Sequence, residues 1–208
     1  MVDPNVMQFE VFYDYTCPFV YRASVLLQNV GLASQPQVGW RYFSLAQVNS
    51  QLNSKDDAWT AWDAPESERV KGRLAFKAAE AARRQSRFAD LHLPLLIARH
   101  RDGLDIDAVE VVERVAVDSG LDLEQFRKDI ADPTILESLA RDHQHAVRHH
   151  GVFGTPTLVF PDGAAAYVRL REAPDPAESQ RVFERLISIA AAEPSILEIK
   201  RPAKPSPD

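Results

Sequence analysis

The single cysteine of this 208-residue chain, Cys17, is its strongest candidate nucleophile. It is followed by Pro18, a residue that favours the first position of a helix, where its missing N–H would be unpaired in any case. At a helix start, backbone N–H groups and the positive end of the macrodipole both stabilise the thiolate, which is the reactive form of cysteine. Many free cysteines are inert core residues, so position alone leaves a reactive and a structural role open.

A second motif lies far along the chain, where Thr155 and Pro156 directly precede an apolar run. Proline adopts cis peptide bonds at modest cost. A cis Thr155–Pro156 bond would turn the backbone N–H and C=O of Thr155 outward, free to pair with an extended thiol substrate. The alternative is an ordinary trans proline at the start of a strand.

Regular elements are predicted around both motifs. Aromatic and β-branched residues in Met7–Asp14 predict a strand, Val20–Val30 predicts a helix that ends at Gly31, and Val38–Leu45 predicts a second strand. In the last third of the chain, the predictions are a strand at Thr157–Phe160, a turn at 161–163, a strand at Ala165–Leu170 and a helix at Pro176–Ala192.

The middle of the chain has a different pattern. Gln47–Glu68 is polar and predicted to be irregular, whereas Arg69–His149 is predicted to be helical throughout. Pro94 should bend or break the helix in which it lies. Three aspartates are predicted to cap later helices of this block: Asp107, Asp122 and Asp132.

A sheet whose halves are separated by a helical block must be assembled from distant segments. This order predicts an α/β core with a helical cap rather than two independent domains. The predicted divisions are an N-terminal half at 1–66, a helical insertion at 67–148, a C-terminal half at 149–195 and a flexible tail at 196–208.

Together, the two motifs resemble the DsbA-like thioredoxin superfamily. The resemblance rests on YDYTCPFVY at 13–21 and GTPT at 154–157, and FSLAQVN at 43–49 is similar to the cytoplasmic FrnE-type branch. It extends from about Met7 to Ala192 and implies a thioredoxin-like fold with an all-helical insertion between the two halves of the sheet.

The resemblance also implies roles for single residues. Cys17 matches the nucleophilic cysteine of a Cys-Pro-x-Cys motif, followed by Pro18, and Thr155 and Pro156 match the cis-proline loop. Val20 stands where the second, resolving cysteine belongs. Without that thiol, a mixed disulfide on Cys17 would have to be released by an external thiol.

Three interpretations of the missing cysteine stay open. The first is a thiol-disulfide oxidoreductase with a single active cysteine, which exchanges with a protein thiol or a small thiol such as glutathione. The second is a glutathione-dependent transferase or isomerase, similar to the kappa-class glutathione transferases and 2-hydroxychromene-2-carboxylate isomerases. The third is a non-catalytic thioredoxin-fold binding protein. None implies a tightly bound cofactor, and glutathione or another small thiol would be a co-substrate.

Further side chains are predicted to contact substrate: Tyr15, Phe19, Val20, Trp59 and Trp62. The late histidines 143, 145, 149 and 150 suit a helix C-terminus, and no metal site is predicted from them.

The composition is that of an ordinary globular protein, with 45% hydrophobic and 26% charged residues. A net charge of -6 argues against a nucleic-acid partner. No stretch has the length of a membrane span or the pattern of a signal peptide, so a cytoplasmic location is expected. The expected partner is a thiol-containing protein or small molecule, and the chain is expected to be a monomer or a homodimer.

Overall fold

The computed structural model describes residues 8–31, 38–53 and 59–201. Within those ranges the chain forms four strands: β1 (Phe9–Tyr13), β2 (Val38–Tyr42), β3 (Thr157–Val159) and β4 (Ala165–Tyr167). The helices of the same ranges are α1 (Pro18–Asn29), α2 (Leu45–Asn53), α3 (Arg73–Arg84), α4 (Phe88–His100), α5 (Val109–Asp118), α6 (Leu123–Ala131), α7 (Glu137–His150) and α8 (Pro176–Ala192).

The strands form one sheet in the order β2-β1-β3-β4. β1 runs parallel to β2, with Tyr13 opposite Tyr42, and antiparallel to β3, with Val11 opposite Leu158. β3 and β4 form an antiparallel hairpin. Because six of the described helices, α2 to α7, lie between β2 and β3, the sheet joins distant parts of the chain, and the predicted α/β fold is confirmed.

One hydrophobic core unites the sheet with the helical insertion. Buried side chains from β1, α1, α3, α4 and α6 belong to a single cluster, for example Val11, Leu27, Phe76, Leu95 and Phe126. Each such side chain contributes roughly 1.5–3 kcal/mol when it is removed from water. The insertion is therefore packed closely enough to position residues of the thioredoxin-like part.

The helix α2 lies in a segment that was predicted to be irregular. Its first turn is stabilised by a tertiary contact, since the Leu45 N–H donates to Asp14 Oδ2 at 2.7 Å. The hydroxyl of Ser44 also accepts from the Gln47 N–H at 3.2 Å. Ser44 is a local signal for this helix start that the sequence prediction did not use, whereas the contact with Asp14, which is distant in the sequence, could not be predicted from the local pattern.

The sequence predicts that Pro94 bends or breaks its helix. The helix is not broken at this residue. α4 continues through Pro94 and buries Leu91, Leu95 and Leu96 on either side of it. Proline inside a helix removes one backbone hydrogen bond, at a cost of about 3 kcal/mol. Burial of several leucines is large enough to offset that loss.

The three predicted caps have three outcomes. Asp122 is the N-cap of α6 and accepts from the Gln125 N–H at 2.7 Å, so this prediction is confirmed. Asp107 instead accepts from the Gly72 N–H at 2.7 Å and thereby stabilises the start of α3. Asp132 closes a short turn by accepting from the Thr134 N–H at 2.9 Å, and α7 begins later, at Glu137.

The C-terminal helix has the predicted bounds, Pro176–Ala192. The strands are shorter than predicted: β1 ends at Tyr13 and β4 at Tyr167. Most of the predicted flexible tail lies outside the described residues. In the described part of the chain, no helix combines the length and apolar character needed to cross a membrane.

Candidate active site

Cys17 lies at the junction between β1 and α1, as the N-cap residue of the helix. Its backbone is extended (φ -89°, ψ 116°), and Pro18 occupies the first turn. The side chain does not cap the helix. Instead, the thiol Sγ donates a hydrogen bond to the backbone carbonyl of Thr155, at 3.2 Å. Cys17 is 5% exposed and therefore buried.

The loop that faces Cys17 carries a cis peptide bond between Thr155 and Pro156. It is fixed on both sides by hydrogen bonds. The Thr157 hydroxyl donates to the Gly154 carbonyl at 2.8 Å, and the Val168 N–H donates to the Pro156 carbonyl at 3.0 Å. These bonds leave the Thr155 carbonyl directed at the sulfur.

A groove of about 400 Å³ opens at this contact. Its lining is mostly apolar, and Arg169 has the one charged side chain among the lining residues that the structure describes. The lining comes from residues 16–19, from Leu45, Val48, Asn49 and Leu52 of α2, and from residues 153–155, Tyr167 and Arg169.

Asp14 anchors the loop that carries Cys17. Its fully buried carboxylate accepts from the Thr16 N–H and hydroxyl, each at 2.7 Å, through Oδ1, and from the Leu45 N–H through Oδ2. Burial raises the pKa of Asp14, although the hydrogen bonds to Leu45 and Thr16 oppose that shift. The Cys17 N–H also donates to the Asp14 carbonyl at 3.1 Å. One residue thus joins β1, the thiol loop and α2.

Helix α4 holds the same loop from the other side through Tyr15. The Tyr15 hydroxyl is 3.1 Å from His92 Nδ1, and the Ser24 hydroxyl is 3.2 Å from His92 Nε2. The ring of His100 is hydrogen-bonded to the Tyr15 carbonyl at 2.9 Å. Burial, with a smaller effect of Arg83, lowers the pKa of His92 to about 3, so this imidazole is neutral at physiological pH.

Gly72 allows the start of α3 to approach this loop. Its φ is +80°, and a Cβ atom at this position would lie 2.7 Å from Thr16 Cγ2. Any other residue would displace either the loop or the helix, since real Cβ atoms do not make contacts this short.

The structure brings together part of the predicted site. Cys17, Pro18, Phe19 and Thr155 line the groove, and Pro156 is buried directly behind Thr155.

Two predicted contact residues adjacent to Cys17 in sequence lie in the core instead. Tyr15 and Val20 are both fully buried. Tyr15 points toward α4, where it bonds His92, and Val20 lies on the face of α1 that packs against the hydrophobic core.

The two tryptophans also lie away from the groove. Trp59 donates from Nε1 to Glu68 Oε1 at 3.0 Å. Both Trp59 and Trp62 pack on a small cluster around Ala61 and Val70. They pin the segment after α2 to the rest of the fold.

The sequence reasoning missed several groove residues. Phe153, Tyr167 and Arg169 line the groove together with Cys17. A signal for the last two existed, because side chains two apart on an extended segment point to the same face. Leu45 and Val48 were missed because α2 was not predicted.

Three of the four late histidines, His145, His149 and His150, lie together at the surface of α7, with His150 Nε2 3.2 Å from His145 Nε2. His143 is buried instead, and its Nδ1 accepts from the Ser44 N–H at 3.2 Å. Across residues 8–31, 38–53 and 59–201, no three histidine, cysteine or acidic side chains are grouped as metal ligands would be.

A comparison with protein-family models matches residues 8–187 to the DSBA-like thioredoxin domain. The chain belongs to this family. Among curated proteins, it is 25% identical over 194 residues to the uncharacterized protein Rv2286c of Mycobacterium tuberculosis. The alignment covers 93% of this chain and 81% of that protein.

Solved structures show the same fold. A probable DsbA oxidoreductase from Streptomyces coelicolor aligns with a TM-score of 0.59 at 19% identity and covers 97% of both chains. A 2-hydroxychromene-2-carboxylate isomerase aligns with a TM-score of 0.58 at 16% identity, over 88% of this chain and 97% of that one. The cytosolic disulfide reductase DsbM of Pseudomonas aeruginosa aligns with a TM-score of 0.56 at 18% identity, over 88% and 100%.

Proposed function

We propose that this DSBA-like protein is a thiol-disulfide oxidoreductase that acts through Cys17 alone. The observation that carries the proposal is the position of the thiol: Sγ lies at the N-terminus of α1, in the groove, 3.2 Å from the Thr155 carbonyl. The hydrogen bond to Thr155 holds the thiol at the edge of the groove, where a substrate disulfide can meet it.

The first step is attack by the Cys17 thiolate on one sulfur of a substrate disulfide. A bond forms between Cys17 Sγ and that sulfur, the substrate S–S bond breaks, and the second substrate sulfur leaves as a thiolate that takes a proton from water. The Thr155 N–H, which donates to no described residue, would pair with a backbone-like carbonyl of the substrate.

The second step needs an external thiol, because Val20 occupies the position of a resolving cysteine and Cys17 is the only cysteine. The external thiolate attacks the substrate sulfur of the mixed disulfide and releases the Cys17 thiolate. The overall reaction exchanges one disulfide for another, with no net oxidation of the protein. A cytoplasmic location would supply small thiols for this step.

Treatment with glutathione disulfide tests the proposal. Intact-protein mass spectrometry should show one glutathionyl group on the wild-type chain and none on Cys17→Ser, and dithiothreitol should remove it. A wild-type chain that stays unmodified under conditions that modify a denatured sample would contradict the proposal.

The near-complete burial of Cys17 supports a second candidate, in which a small thiol binds in the groove and is activated without forming a disulfide. In this alternative, the Cys17 thiol would donate a hydrogen bond to the bound glutathione thiolate. Its signature is a glutathione-dependent conversion of an electrophile that survives Cys17→Ser, which can also donate a hydrogen bond. Loss of that conversion in Cys17→Ser would exclude this candidate.

A further inference from the structure

The groove at Cys17 has an uneven charge distribution. Among the described residues that line it, Arg169 is the one charged side chain, and the others are apolar or neutral. The protein as a whole is acidic, with a net charge of -6. A cation at the site therefore contrasts with the average surface.

Arg169 is held beside the thiol loop by an aromatic contact. Its guanidinium carbon lies 4.1 Å from the centre of the Phe19 ring. Arg22 approaches the same ring at 5.2 Å and donates to the Leu170 carbonyl at 3.0 Å. Phe19, Arg169 and Cys17 all line the groove, so this contact places positive charge in the groove that contains the sulfur.

The charge of Arg169 is not neutralised locally. Within the described part of the chain, neither Arg169 nor Arg22 forms an ion pair with a carboxylate. By contrast, many other arginines are paired, such as Arg73 with Glu66 and Arg127 with Glu113. An unpaired cation in a groove raises the local concentration of anions and stabilises them when bound.

The phenol of Tyr167 lines the same groove as Arg169 and Cys17. Burial raises the pKa of Tyr167, Arg169 opposes this shift, and the charge of Cys17 adds to it. Both the guanidinium and the sulfur are therefore close enough to interact with the same hydroxyl.

We propose that Arg169 makes the site prefer negatively charged substrates, and that Cys17 reacts preferentially with small disulfides that carry a carboxylate close to the sulfur. The inference rests on the proposed function and names its substrate class. A volume of about 400 Å³ suits a small molecule. The apolar lining would contact the carbon chain, while Arg169 pairs with the carboxylate and Cys17 attacks the sulfur.

A charge series of aliphatic disulfides tests this inference. The probes are dithiodipropionate, which is anionic, hydroxyethyl disulfide, which is neutral, and cystamine, which is cationic. For each probe, the rate constant for Cys17 modification is measured by mass spectrometry. It is divided by the rate constant for reaction of the same probe with a neutral model thiol, so that differences in the intrinsic reactivity of the probes cancel. The normalised rate constant should be highest for the anionic probe, lower for the neutral probe and lowest for the cationic probe, with about a threefold to tenfold difference at each step in low salt.

Variants separate charge from packing. Arg169→Gln should lower the ratio of the normalised rate constants for the anionic and the neutral probe to about one. Arg169→Lys should retain most of the preference for the anionic probe, because the positive charge remains. Arg171→Gln is the matched control, an exposed arginine two residues further on that does not line the groove. It should leave the ratio unchanged. Raising ionic strength to about 1 M, where the Debye length is about 3 Å, should also reduce the ratio in the wild-type chain.

The outcomes distinguish this inference from the proposed function. Equal normalised rates for all three probes would overturn the role of Arg169 and leave the exchange chemistry standing. A ratio that falls equally in Arg169→Gln and Arg171→Gln would also overturn it. Failure of Cys17 to react with any probe would instead contradict the proposed function.

Discussion

The segment 14–19, here called the thiol wall, supplies residues 16–19 to the groove lining and is held by buried polar groups. By contrast, Phe153, Tyr167 and Arg169, here called the hairpin wall, line the groove with exposed side chains. Asp14 is fully buried and accepts three hydrogen bonds, while Phe153 is 67% exposed and contacts the Tyr167 ring edge-on at 5.0 Å. The thiol wall is built into the core, and the hairpin wall is added to it.

This difference separates two requirements of the site. The sulfur must be held within a fraction of an ångström of its partner groups, which rigid buried contacts provide. The surface that meets the substrate can change without loss of the fold, because it contributes little buried area. Substitutions on the two walls should therefore have unequal effects on stability.

The largest expected effect comes from an apolar support of the thiol wall. Phe76 is 2% exposed, and its ring centroid lies 6.0 Å from that of Tyr15. Phe76→Ala should lower the free energy of unfolding by about 3–5 kcal/mol, through lost burial and the cavity that remains. Urea denaturation followed by circular dichroism measures this change.

Phe153→Ala is the matched control on the hairpin wall. Because most of the Phe153 ring is already in water, this substitution should cost less than about 1 kcal/mol. Similar losses in the two variants would show that the walls do not differ as described.

A slightly smaller effect is expected from the buried carboxylate. Asp14→Ala leaves the N–H groups of Thr16 and Leu45 without their acceptor and should lower the free energy of unfolding by about 2–4 kcal/mol. Asp162→Ala is the control, since Asp162 lies on an exposed turn and accepts one hydrogen bond, from the Ala164 N–H at 3.0 Å. It should cost less than about 1 kcal/mol. An Asp14→Ala protein as stable as Asp162→Ala would refute the anchoring role.

The effect that is smallest at neutral pH, and that grows only as the pH falls, is a pH dependence of stability. The pKa of His92 is about 3 in the folded protein against an ordinary value of 6.5. The unfolded chain therefore binds a proton that the folded chain does not between these two values. The stability due to neutral His92 is complete above pH 6.5 and is lost as the pH falls toward 3, by about 1.4 kcal/mol per pH unit.

Between pH 6 and pH 4, His92→Gln should reduce the slope of unfolding free energy against pH by about 1.4 kcal/mol per pH unit, which corresponds to one bound proton. A slope should remain, because burial also lowers the pKa of His143, to about 4. His149→Gln, at an exposed position of α7, should leave the slope of the wild-type chain in place. An unchanged slope in His92→Gln would mean that His92 is not kept neutral in the folded state.

The sequence was sufficient for features with a local signature. Pro18 after Cys17, the motif at 154–157 and the periodicity of Pro176–Ala192 each predicted the element in which they lie. The sequence was insufficient wherever a distant group decided the outcome. The start of α2 depends on Asp14, Asp107 serves α3 instead of its own helix, and Pro94 is tolerated because its helix is buried.

Sequence alone therefore determined the chemistry that is available: one thiol at a helix start, a proline loop to face it, and no second thiol at Val20. Tertiary structure decided which side chains surround that thiol. Tyr15 and Val20 turn into the core, the tryptophans pack elsewhere, and Phe153, Tyr167 and Arg169 come to the groove. The physical reason is that local preferences act within a few residues, whereas the groove is formed by segments that meet only when the sheet and the helical insertion bury a common core.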